Sequence, residues 1–212
     1  MKAIVYTSYG TPDVLALREV DRPVPQENEV LVKVYAVSLN DWDVGLLTGD
    51  AVNRMLNGFR KPKIHILGSD IAGRVEVVGK NVKNFREGDE VYGDLSGAWG
   101  GFAQYVCAAE NSLAIKPKAM SFEQAAAIPQ AAMLAVQGLI DKGNIQSGQK
   151  ILINGAGGGV GTFGIQIAKQ YNLEVTGVNS AEKLDMLRAL GFDHVIDYRT
   201  EDFTRNGKQY DL

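Results

Sequence analysis

The stretch that most constrains the fold is Lys150–Ala168, KILINGAGGGVGTFGIQIA. Its apolar start, Ile151 to Ile153, reads as a buried strand. Six of the eight residues from Asn154 to Gly161 are Gly or Ala. An apolar pattern at helical spacing follows in Val160, Phe163, Ile165 and Ile167. Strand, glycine turn and helix together form the context that makes a glycine motif a dinucleotide site. Such a turn must be sharp, must let backbone approach a pyrophosphate, and must let the helix pack on the strand. The helix N-terminus then offers free N–H groups and a positive dipole end. A strict G-x-G-x-x-G is absent: Ala156, Gly158 and Gly161 fit it with Ala first, and Gly155, Gly158 and Gly161 fit a wider variant.

The continuation supports this reading. LEVTGV (173–178) reads as a second strand, AEKLDMLRALG (181–191) as a helix with a Gly stop, and HVIDY (194–198) as a third strand. That is a βαβαβ nucleotide-binding half. The candidate cofactor cradle is Asn154, Gly155, Ala156, Gly157, Gly158, Gly159, Val160, Gly161 and Thr162.

The tip of the second strand reads Gly177-Val178-Asn179-Ser180 and carries no carboxylate to take a ribose 2′-hydroxyl. Asn179, Ser180, Lys183 and Tyr198, with Arg199 beside it, form the expected pocket for a 2′-phosphate, so the expected cofactor is NADP rather than NAD. Ser180 is also expected to cap the following helix.

Residues 1–110 read as β-rich, with strands over 2–6, 29–39, 71–79, 89–94 and 101–109 separated by Gly and Pro turns. The pattern suggests a small, partly open barrel. Ser121-Phe-Glu-Gln opens a helix by the capping-box pattern, and a second helix runs over about 130–142. Domains are expected at 1–122 and 123–212. The 22 basic and 25 acidic residues are interspersed, which argues against a nucleic-acid partner. No apolar run approaches the roughly 20 residues of a membrane span, so no membrane partner is expected. The N-terminus lacks the features of a signal or transit peptide, and the cytoplasm is the expected compartment. The single cysteine, Cys107, lies in an apolar alternating strand and reads as an inert core thiol.

In order along the chain, YGTPDVL (9–15), the P-x-P-x-x-x-E-V-L-V-K-V segment (23–34), AVSLNDWD (36–43), ILGSDIAGRVEVVGKNVKNFREGDEVYGD (66–94), GGFAQYV (100–106), AAAIP (125–129) and NGAGGGVG (154–161) resemble the medium-chain dehydrogenase/reductase superfamily. The similarity is to its zinc-free, quinone oxidoreductase-like branch. It implies a GroES-like β-barrel domain followed by a Rossmann domain, and NADPH-dependent reduction of a quinone or an activated alkene or carbonyl.

Asn40 stands where zinc-dependent relatives use a Cys, and Gly68-Ser69-Asp70 replaces their His-Glu pair. With one Cys and two His, His65 and His194, the ligand set for zinc is missing. The resemblance makes Asn40 the candidate catalytic donor and gives Asp43 a loop-ordering role. Two departures weaken the carry-over: Gly45 replaces a common Tyr, and Leu134 replaces a common Thr. They favour the alternative of a non-catalytic NADPH-binding or structural protein; a third reading, an alcohol dehydrogenase-like enzyme, is disfavoured by the ligand count.

The loop Gly97–Gly101 is expected either to shape the substrate entrance, with Trp99 as an apolar wall, or to be a plain connector. The resemblance places Gln209-Tyr210-Asp211-Leu212 at the start of a fourth Rossmann strand, with roughly 90 further residues expected. A C-terminally truncated form is therefore expected, with weak NADPH binding, an exposed strand edge and a tendency to self-associate. The full-length chain is expected to be a homodimer acting on a small molecule.

Overall fold

The computed structural model describes residues 1–212 and divides the chain into two units, Met1–Gln130 and Ala131–Leu212. The first unit opens with β1 (Lys2–Val5) and β2 (Ala16–Glu19), an antiparallel pair joined through a 3₁₀ turn at Pro12–Val14. Next come β3 (Glu29–Val37), α1 (Asp41–Thr48), α2 (Ala51–Asn57), β4 (Asp70–Val78), β5 (Glu90–Asp94), β6 (Tyr105–Ala109) and β7 (Leu113–Ile115). Five of these strands form an antiparallel sheet in the order β6-β3-β4-β5-β7. Strand β3 lies inside the sheet, between β6 and β4, and its Val30, Leu31 and Val32 are all buried. Val30 and Val32 pack with Ile71, Val75, Val91, Leu95 and Val106. The strands at 2–5, 29–37, 70–78, 90–94 and 105–109 fall where alternation predicts them. Strands β2 and β7 and helices α1 and α2 lie where no element is expected.

Helix α3 (Phe122–Ala126) has the predicted capping box: Gln124 N–H donates to Ser121 Oγ at 3.2 Å, and Ser121 N–H donates to Gln124 Oε1 at 3.0 Å. Helix α4 (Pro129–Val136) begins at a proline, which suits the first helical position, and widens into a π-type segment over Gln137–Lys142.

The second unit carries β8 (Lys150–Asn154), α5 (Gly159–Gln170), β9 (Glu174–Asn179), a 3₁₀ turn at Ala181–Lys183, α6 (Leu184–Leu190) and β10 (His194–Asp197). The three strands are parallel in the order β10-β9-β8, the arrangement expected of a βαβαβ half. Its core joins Ile151, Ile165, Ala168, Val175, Leu187 and Phe192. The buried face of α5 is Gly161, Gly164, Ile165 and Ala168, whereas Val160 is exposed. The smaller residues let the helix sit close to the sheet. Strand β8 lies at the sheet edge, as expected; there Asp211 N–H donates to Lys150 O at 2.7 Å and Leu152 N–H to Leu212 O at 2.9 Å.

Candidate functional site

In the second unit, the candidate residues gather at the C-terminal ends of the three parallel strands, where open α/β sheets bind ligands. Strand β8 ends at Asn154, β9 at Asn179, and β10 at Asp197, next to Tyr198. Between β8 and α5 the chain turns through Gly155, whose φ of +76° a side chain would strain. A Cβ on Gly161 would lie 2.3 Å from Ala156 O, so this position packs helix against turn. A Cβ on Gly158 would meet a single atom, Gly155 O, at 3.3 Å. Gly158 holds the N-cap position of α5 with no side-chain cap, and the helical ladder starts with Thr162 N–H donating to Gly158 O at 3.0 Å. The amides of Gly159, Val160 and Gly161 therefore precede the ladder, as an anion site at a helix N-terminus requires. Gly158, Gly159 and Val160 are exposed and Ala156 is buried beneath them. The turn thus leaves a cradle of unpaired backbone N–H groups open at the helix N-terminus.

The strand tips close around this turn. Asn179 Oδ1 accepts from Ser180 N–H at 2.8 Å, and a Cβ on Gly157 would lie 2.9 Å from Asn179 Nδ2. Lys183 Nζ donates to Gly157 O at 2.9 Å. Tyr198 N–H donates to Asn179 O at 3.3 Å while its ring stays half-exposed, with the Arg199 guanidinium 5.8 Å from the ring centroid. Ser180 departs from expectation: it occupies the N-cap position of the 3₁₀ turn without a side-chain cap, and its hydroxyl lies 3.5 Å from Asn179 Oδ1. The Lys183 N–H that a cap would use donates instead to Ser180 O at 3.0 Å, as a 3₁₀ turn requires, and the Ser180 hydroxyl keeps only that weak contact.

In the first unit, half-buried Asn40 precedes α1, and its Nδ2 donates to Ser69 Oγ at 3.3 Å. Asp43 accepts from Asn40 N–H and from Gly68 N–H, both at 2.9 Å, and is buried. It orders two loops, as expected. Burial raises its carboxyl above the usual range.

Buried Asp70, at the start of β4, is a feature that sequence reasoning missed. Its Oδ2 accepts from Gln130 N–H at 3.0 Å, while Oδ1 is buried without a partner. Burial pushes its carboxyl up to about 6; the Gln130 and Asn40 amides pull it back, and the Asp94 and Asp43 carboxylates raise it further. The Gln130 side chain reaches Ser96 Oγ, which donates to Asp94, so hydrogen bonds tie β5, β4 and the first turn of α4 together. A carboxylate inside the otherwise apolar run ILGSDIAG is the signal that marks the position.

Trp99 is a core residue rather than a wall of an entrance. Only 5% exposed, it packs with Tyr6, Leu46, Leu47 and Leu67. The aromatic that reaches the surface beside it is Trp42, stacked at 6.4 Å between ring centroids. Burial pushes the Cys107 thiol up to about 11, in keeping with an inert side chain. No group of three His, Cys, Asp or Glu side chains is placed to hold a metal ion. His65 Nε2 lies 3.1 Å from Pro62 O, and His194 Nε2 lies 3.0 Å from Glu174.

Known proteins share this arrangement. Residues 26–118 match the family of alcohol dehydrogenase GroES-like domains, and residues 159–210 match the family described as zinc-binding dehydrogenase. The chain is 40% identical to a 2-methylene-furan-3-one reductase of Solanum lycopersicum, over all of this chain and 56% of the relative. It is 38% identical to an NADPH-dependent alkenal/one oxidoreductase, chloroplastic, of Arabidopsis thaliana, over all of this chain and 56% of the relative. The crystal structure of Escherichia coli quinone oxidoreductase complexed with NADPH superposes with a TM-score of 0.84 at 30% identity, covering 95% of this chain and 60% of that one. The chain thus spans less than two thirds of the length of each of these proteins. No helix is long and apolar enough to cross a membrane. With its GroES-like unit, its parallel βαβαβ sheet and these relatives, the chain belongs to the medium-chain dehydrogenase/reductase superfamily, in the quinone oxidoreductase-like branch.

Proposed function

We propose that the protein from which this chain comes reduces a quinone or an activated alkene or carbonyl with NADPH, without zinc. The observation that carries the reading is the strand tip at Asn179-Ser180. It lacks a carboxylate and holds Lys183 over the glycine turn, 2.9 Å from Gly157 O. A carboxylate at that place would repel a 2′-phosphate, whereas an ammonium and a hydroxyl favour it. The amides of Gly159, Val160 and Gly161 would hold the pyrophosphate, with Gly158 leaving room for it. The cofactor would supply a hydride to the substrate carbon. Asn40 would donate from its amide to the substrate oxygen, where negative charge develops. Asp43 and Ser69 would keep that loop in place, through the bonds to Asn40 N–H and Asn40 Nδ2. The scattered His65, Cys107 and His194 support chemistry without a zinc ion.

Measured dissociation constants for NADPH and NADH test the cofactor; NADPH should bind more tightly, and tighter NADH binding overturns this part. A screen of NADPH oxidation against several quinones and enones tests the chemistry. Asn40→Ala should lower turnover while leaving NADPH affinity unchanged. Unchanged turnover removes Asn40 from the site.

One observation favours the second reading, a non-catalytic NADPH-binding protein. A Cβ on Gly45 would lie 2.7 Å from Asn53 Nδ2, which itself donates to Asp50 at 2.7 Å. Gly45 itself presents no donor, and the side-chain amide nearest that position is already bound to Asp50. No oxidation with any acceptor, alongside firm NADPH binding, would select this reading.

A further inference from the structure

Helix α2 is inside out. Val52, Met55 and Leu56 stand at i, i+3 and i+4 of the helix, the spacing by which a helix ordinarily turns an apolar stripe to a core, and Phe59 follows two residues past its end at Asn57. Here that stripe faces away from the core: the four are 66%, 77%, 63% and 76% exposed. They are four of the seven large apolar residues in the chain that are more than 60% exposed.

The helix is anchored by a polar residue instead. Asn57, 1% exposed, donates from Nδ2 to Tyr6 Oη at 2.9 Å and accepts at Oδ1 from Lys63 N–H and Ile64 N–H at 3.0 and 2.8 Å. These bonds fold residues 58–64 into a tight turn that returns beside the helix end. Gly58 has φ +111° there, and a Cβ on it would sit 2.4 Å from Lys61 O. The turn carries Arg60, Lys61 and Lys63, all exposed and none in an ion pair. The only carboxylate from Gly49 to Ile66 is Asp50, which caps the far end of the helix through Asn53 N–H at 2.9 Å. This segment is therefore locally cationic within a chain of net charge −3.

We propose that α2 and the 58–64 turn dock on an anionic lipid surface, with Val52, Met55, Leu56 and Phe59 inserted among the acyl chains and Arg60, Lys61 and Lys63 at the headgroups. Exposed apolar side chains beside unpaired cations are the two components of interfacial binding, and each supplies what the other lacks. A second copy of the chain is the poorer occupant. A self-complementary contact would bring two sets of these unpaired cations to one interface. The sequence-based expectation of no membrane partner rests on the lack of a spanning segment and does not address a peripheral face of this kind.

The test is co-sedimentation of the 212-residue chain with vesicles of phosphatidylcholine alone and of phosphatidylcholine with about a third phosphatidylserine, at low and physiological salt. Binding should require the anionic lipid and weaken with salt. Arg60→Gln, Lys61→Gln and Lys63→Gln should each weaken it about fivefold. The pair Met55→Ser with Phe59→Ser should abolish it, while circular dichroism and thermal unfolding stay as in the parent, since both side chains are exposed. No binding to the anionic vesicles at low salt overturns the proposal, as does binding that these variants leave unchanged. Light scattering that shows a dimer dispersed by the Met55 and Phe59 pair assigns the face to a second copy and overturns it too.

Discussion

The glycine turn after β8 and the polar cluster at the start of β4 hold their groups by opposite means. The turn is built from backbone. Its geometry comes from missing side chains, and its exposed amides cost little to leave open to water. The cluster is built from buried side chains. Asp43 and Asp70 are each about 1% exposed, and both carboxyls are raised above their ordinary range by burial. A turn of the first kind is broken by adding atoms; a cluster of the second kind is governed by protons.

The largest effect is expected from Gly161→Ala. Its new Cβ would meet backbone at 2.3 Å, and the turn has no flexible side chain to yield. Urea unfolding should show a loss of at least about 3 kcal/mol. An effect below about 1 kcal/mol would mean that the turn gives way, and the contrast with the cluster would fail.

Asp70→Asn should act in the other direction, and only in part of the pH range. The folded carboxyl titrates at about 6, against an ordinary 3.8. Between these values the folded chain keeps a proton that the unfolded chain has released. Stability therefore falls as pH rises through this window, and the loss is complete above it. Removing the carboxyl should stabilise the chain relative to the parent by up to about 3 kcal/mol at pH 7, with the gain fading toward pH 4. Unfolding curves across pH 4–8 measure this; a difference that does not change with pH would show that Asp70 has an ordinary carboxyl.

Gly158→Ala should give the smallest change in stability, less than about 1 kcal/mol, because its φ of −93° suits any residue and its Cβ would meet a single atom, Gly155 O, at 3.3 Å. The same substitution should weaken NADPH at least tenfold, as read by fluorescence titration, because it fills the place proposed for the pyrophosphate. Unaltered affinity would move the phosphates away from this turn.

Legibility in the sequence follows the same division. The β8–α5–β9–α6–β10 half can be read from periodicity and glycine spacing, because each element carries its own local pattern. Strands β3 to β6 are legible from alternation. By contrast, α1 and α2 leave little trace: α1 is short and starts at a polar Asn-Asp step, and α2 presents its apolar stripe to solvent. Strand β7, of three residues, is too short for a period to register, and β2, of four, buries none of its residues. The role of Asp70 is hidden for another reason. Its partner Gln130 lies 60 residues away, and only the tertiary fold brings the two together. Trp99, expected at an entrance or in a connector, is drawn inward by the cluster around Tyr6 and Leu67.

Lys183 gives the glycine turn a resting occupant. Its ammonium spans the turn to a peptide carbonyl of Gly157, so that carbonyl is satisfied before any ligand arrives, while the amides of Gly159, Val160 and Gly161 stay open. Recruiting this ammonium is an exchange of acceptors rather than a new bond. A phosphate monoester, charged and able to accept several hydrogen bonds, wins that exchange; a neutral sugar hydroxyl does not. The discrimination proposed at this strand tip then works as a threshold set by the protein's own backbone, and a molecule below it leaves the latch shut.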